Sequence, residues 1–98
     1  MRIAIVDDIH SERVLLHTRL EEQLTKRGVH ADLTEFENGE AFLKASRERP
    51  FTVLFLDIYM NGANGVEIAR ELRKSDPDCL LIFTTTSTDH ALEGFKVR

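Results

Sequence analysis

Val53-Leu54-Phe55-Leu56-Asp57 is the stretch that decides the fold. Four apolar residues in a row, with no alternation, predict a strand covered on both faces. The acid that follows marks the point where this strand leaves the core. Two other segments repeat the arrangement. Ile3-Ala4-Ile5-Val6 runs into Asp7-Asp8, and Leu80-Leu81-Ile82-Phe83 runs into Thr84-Thr85-Thr86-Ser87. Residues 29–36 form a weaker strand candidate, anchored by Leu33 and Phe36.

Helical spacing fills the gaps between these strands. Ile9, Leu16, Leu20 and Leu24 recur along one face until Gly28 supplies a stop. Asn38-Gly39 can start a second helix through Ala41, Phe42 and Ala45, which must end before Pro50. Val66, Ala69 and Leu72 mark a third, stopping near Asp76-Pro77. Ser87 or Thr88 can cap a last helix carrying Ala91, Leu92 and Phe95. The order β-α-β-α-β-α-β-α implies an α/β fold, a doubly wound parallel sheet with helices on both faces. Sheets of this kind place ligand sites just beyond the carboxyl ends of their strands.

Composition narrows the function classes. A chain of 98 residues suggests one domain spanning 1–98. A net charge of -4 provides no basic field to attract nucleic acid. No apolar run approaches the roughly 20 residues that span a bilayer, so no membrane contact is expected. Met1 to Val6 is too short in its apolar part for a signal peptide. The lone Cys79 cannot form an internal disulfide, and a reducing cytoplasmic setting fits that. Beside Leu80 and Leu81 it reads as a small buried hydrophobe.

If strands one and three are neighbours, Asp7, Asp8 and Asp57 share one crevice. Their charges repel, and some would take up protons unless a cation balances them. Oxygen-only ligands suit a hard divalent ion, Mg²⁺ above all. Magnesium with one or two carboxylates, waters and phosphate oxygens describes a phosphoryl-transfer site. A carboxylate can be the nucleophile and become an aspartyl phosphate. A hydroxyl at the end of strand four could then bond a phosphoryl oxygen.

At these residues the chain resembles the response-regulator receiver family along its whole length. The likeness rests on Ile5-Val6-Asp7-Asp8, on Leu54-Phe55-Leu56-Asp57-Ile58-Tyr59-Met60 with Gly65, and on Ile82-Phe83-Thr84-Thr85. The resemblance implies a flavodoxin-like receiver fold with Asp57 as phosphoacceptor, phosphorylated by a sensor histidine kinase. It implies Mg²⁺ held by Asp8, Asp57 and the backbone carbonyl of Tyr59, with Asp7 holding the metal's waters. Thr85 matches the switch hydroxyl, Thr86 the small residue after it, and His90 the aromatic switch position. Asp57-Ile58-Tyr59-Met60-Asn61-Gly62 and the tail from Ala91 to Val97 resemble receivers that precede LytTR-type DNA-binding domains. That likeness implies transcription regulation through an output domain outside this chain.

Two departures accompany the resemblance. Asn61 replaces the usual proline. The chain also ends at Arg98, inside the expected fourth helix. The family's fifth strand, the lysine that begins it and the fifth helix then have no match, and phosphate acceptance is expected to be weak. The expected strand order is 2-1-3-4, a C-terminally incomplete domain with strand four as a bare edge. Such an edge, or the fourth helix, could support a homodimer.

Competing readings have less support. Haloacid-dehalogenase enzymes also form an aspartyl phosphate but need a second Asp where this chain has Tyr59. A pure interaction module would not need all three acids and Thr85. A Gly-x-x-x-x-Gly-Lys phosphate loop is absent. His10, His17 and His30 lack metal-ligand spacing and read as solvated. Lys44, Arg47 and Arg49 read as a charged helix face and its exit, and Met60 as packing.

Overall fold

The structure, a computed structural model, describes residues 1–60, 64–84 and 95–97. Its elements run β1 (Arg2–Val6), α1 (His10–Lys26), β2 (Asp32–Phe36), α2 (Gly39–Glu48), β3 (Val53–Asp57), α3 (Gly65–Ser75), β4 (Leu80–Thr84) and β5 (Phe95–Val97). The first four strands pair in parallel in the order β2-β1-β3-β4. This is the expected four-stranded sheet of a flavodoxin-like receiver fold. The reversal of strand order at β1 matters. Right-handed crossovers place α1 on one face of the sheet and α2 and α3 on the other.

The face under α2 and α3 is the main core. Ala4, Val6, Leu54, Leu56, Leu81 and Phe83 point into it from the sheet, and Phe42, Leu43, Ile68, Ala69 and Leu72 meet them from the helices. Phe36, Phe42 and Phe51 close one end as a ring cluster, with Phe36 edge-on to the other two at 5.7 and 5.8 Å. Edge-to-face pairs add to the area buried. Ile3 and Ile5 alternate onto the opposite face, beneath α1, and are buried there.

Local signals explain the boundaries. Asn38 and Asn64 cap α2 and α3 by accepting from the amides of Ala41 and Glu67, at 2.8 and 3.1 Å. Gly28, at φ 66°, ends α1. Its amide donates to the Thr25 carbonyl, and that of Val29 donates to the Leu24 carbonyl. This pair of bonds is the Schellman motif, which a left-handed residue permits. Val29 is therefore used in stopping the helix, and β2 begins only at Asp32.

The end of the chain departs from expectation. Phe95, placed by its spacing in a helix with Ala91 and Leu92, lies instead in β5. Residues 85–94 are outside the described residues. β5 is a fifth strand, short and antiparallel to β4, with Leu81 opposite Val97, Ile82 opposite Lys96 and Phe83 opposite Phe95. The edge expected to be bare is thus paired at residues 81–83.

Candidate functional site

The register of the sheet builds the site. Val6 lies opposite Leu56 in the β1–β3 ladder, so Asp7 and Asp57 leave the sheet side by side. Asp8 follows at once in the turn to α1. One carboxylate oxygen from each of Asp7, Asp8 and Asp57 lies within 4.8 Å of the others. Asp57 is fully buried, Asp7 is 5% exposed and Asp8 is half-buried.

Three segments fix the acid at 57. Its Oδ1 accepts a bond from the Tyr59 amide at 3.2 Å. Thr84 stands opposite it at the end of β4, and the Ile58 amide donates to the Thr84 carbonyl at 3.2 Å. Gly65 opens α3 against the same backbone, and its amide donates to the Ile58 carbonyl at 2.9 Å. A Cβ at position 65 would overlap the Asp57 carbonyl oxygen and lie 2.9 Å from the Ile58 Cα, so only glycine fits there.

The electrostatics are those of crowded, buried acids. Burial chiefly pushes the Asp57 carboxyl up to about 6, and the nearby Asp7 and Asp8 add to it against the Tyr59 amide bond. Burial also raises Asp7, reinforced by Asp8 and Glu12 and opposed by the Ile9 amide and Arg13. The second Asp57 oxygen, Oδ2, is buried and has no hydrogen-bond partner among the described residues. A buried carboxylate oxygen without a donor is costly unless a proton or a cation meets it. Together with an all-oxygen donor set, that orphan oxygen fits a hard divalent cation.

Asp7, Asp8 and Asp57 are thus brought together as expected. Thr85, Thr86 and His90 lie outside the described residues, although β4 delivers Thr84 to the site's edge. Tyr59 turns its amide toward Asp57 while the residue as a whole is 66% exposed. Met60 packs against the core as read.

The sequence reading missed a second polar group beside the acids. His17 is partly buried and bonded on both ring nitrogens, with Nδ1 2.7 Å from Glu35 Oε2 and Nε2 against Glu21. Arg13 is 7% exposed and bonds the Asp7 carbonyl and Glu35. The signal was present. Arg13 falls four residues after Ile9 and three before Leu16, on the face whose spacing marks the buried side of α1.

The family model for the response regulator receiver domain matches residues 3–97. The sensory transduction protein LytT of Oceanobacillus iheyensis is 38% identical over 64 residues, covering 63% of this chain and 26% of that protein. The response regulator receiver protein CpdR of Brucella abortus is 36% identical over 84 residues, covering 86% and 65%. LytT of Bacillus subtilis is 30% identical over 97 residues, covering 99% and 39%. The chain therefore spans between 26% and 65% of the length of these relatives. Among solved structures, the response regulator protein TrrA of Thermotoga maritima, in complex with Mg²⁺-BeF, superposes with a TM-score of 0.76 at 34% identity. The match covers 91% of this chain and 72% of that one. TrrA in complex with the histidine kinase ThkA matches with a TM-score of 0.74 at 35% identity, covering 87% and 68%. The chain belongs to the response regulator receiver domain family.

Proposed function

We propose that Asp57 is the phosphoacceptor of this receiver domain and takes its phosphoryl group from a sensor histidine kinase. The observation that carries this reading is the buried Asp57 oxygen without a hydrogen-bond partner among the described residues, clustered with two further acids. In the transfer, an Asp57 carboxylate oxygen forms a bond to phosphorus as the bond from phosphorus to the kinase imidazole nitrogen breaks. The imidazole then takes up a proton. The fixed amide of Tyr59 orients the other Asp57 oxygen, so positioning and local charge supply most of the acceleration.

Asp8, Asp57 and the Tyr59 carbonyl would hold Mg²⁺ directly, with Asp7 holding its waters. When bound, the ion supplies positive charge against the oxygens of the transferred group. Thr85, one residue beyond the strand that ends beside Asp57, would bond a phosphoryl oxygen and carry the change of state. A kinase partner is supported by the complex of TrrA with ThkA. An output domain of the LytTR DNA-binding kind, acting in transcription, is supported by the LytT relatives. A cytoplasmic place follows from that role. No described helix is long and apolar enough to cross a membrane.

Mg²⁺ titration with phosphorylation assays on Asp8→Asn and Asp57→Asn tests the assignment. The first should weaken metal binding, and the second should abolish labelling.

A further inference from the structure

Arg13 brings a full positive charge into the interior and spends it on three separate segments. Its Nη1 donates to the main-chain carbonyl of Asp7 at 2.7 Å. Its Nε donates to Glu35 Oε1 on β2 at 2.9 Å. Its Nη2 lies 3.1 Å from His10 Nδ1 in the first turn of α1, where the ring nitrogen must accept because a guanidinium only donates. Glu35 is braced in turn by His17 at 2.7 Å. One rigid planar group therefore joins the end of β1, the start of α1 and β2.

The turn it joins is also held by the Asp7 amide, which donates to the Phe36 carbonyl at 3.2 Å. Ile9 occupies the cap position of α1 and offers no side-chain bond. Within the turn, the Ile9 amide bonds Asp7 Oδ1 at 2.9 Å. That bond uses a carboxylate oxygen belonging to the acid cluster itself. We propose that Arg13 is a positioning residue for the cation site, clamping the Asp7 main chain so that Asp7 and Asp8 present their carboxylates beside Asp57. The clamp rests on the Mg²⁺ reading given above. The guanidinium reaches Asp7 through its main-chain carbonyl. A planar fork suits this work better than an ammonium.

Titration calorimetry with Mg²⁺ on the full chain tests the clamp, using wild type, Arg13→Met, Arg13→Lys and Glu35→Gln. Each is measured well below its melting midpoint, with circular dichroism confirming a folded state. Arg13→Met should raise the Kd for Mg²⁺ about ten-fold or more, as loss of a group that orients metal ligands does. Arg13→Lys keeps the charge but loses the fork, and should fall between the two. Glu35→Gln should weaken binding less than Arg13→Met. An unchanged Kd in folded Arg13→Met overturns the clamp. Should that variant not fold, an unchanged Kd in Arg13→Lys overturns it equally. A wild-type chain that binds no Mg²⁺ overturns both the clamp and the cation reading beneath it, a result distinct from normal binding by every variant.

Discussion

Gly65 lies against the Asp57 carbonyl so closely that the first turn of α3 and the end of β3 share one packing contact with no room for a side-chain carbon. The Gly65 amide bond to the Ile58 carbonyl, at 2.9 Å, draws the helix into that position. Two atoms of main chain thus set where the acid at 57 leaves the sheet.

Gly65→Ala should therefore destabilise the fold and displace the site together. Forcing a methyl group into filled space costs typically about 1–3 kcal/mol. Urea unfolding should show a lower midpoint, and Mg²⁺ affinity should fall as well. Unaltered affinity in a destabilised variant would mean that the contact serves packing alone.

Asp57 should destabilise the metal-free protein at neutral pH. Its folded pKa of about 6 stands above the ordinary value of 3.8, so the folded state holds the proton more tightly. Below pH 3.8 both states are protonated and the cost is absent. It grows as pH rises toward 6 and is complete above that. A shift of this size corresponds to about 3 kcal/mol. Asp7, raised in the same direction, adds to it. In metal-free buffer, Asp57→Asn should melt above wild type at pH 7.5, and the gap should close near pH 4. A gap independent of pH would show that ionisation is not its source.

Mg²⁺ should raise the melting midpoint of wild type at pH 7.5 and do so less at pH 5, where protons compete for the same oxygens. A free concentration one hundred times Kd would stabilise by about 2.7 kcal/mol. Asp8→Asn should lose most of this gain. The comparison needs only thermal melts with and without the ion.

Much of this was legible in the sequence. Apolar runs that stop at acids identified β1 and β3, and the reversal of strand order brought Asp7, Asp8 and Asp57 into one crevice. Each signal there was local and strong. Phe95 was misplaced because its spacing with Ala91 and Leu92 fits a helix, whereas its strand state comes from pairing with Phe83, which no local window contains. Val29 reads as a strand residue because β-branching does not reveal that its amide closes a helix. His17 reads as solvated because it lacks metal-ligand spacing and its partner on β2, Glu35, lies far away in sequence. Arg13 does not stand out in the sequence because a charge at a core position is a rare exception to the burial rule.

Phosphorylation of Asp57 is tested most directly by mass spectrometry of the chain after treatment with a small acyl phosphate and Mg²⁺. Wild type should gain the mass of one phosphoryl group, even at low stoichiometry, with the modification in the peptide carrying Asp57. Asp57→Asn should gain nothing. Label on Ser87 or on a histidine, or labelling that persists in Asp57→Asn, would contradict the account.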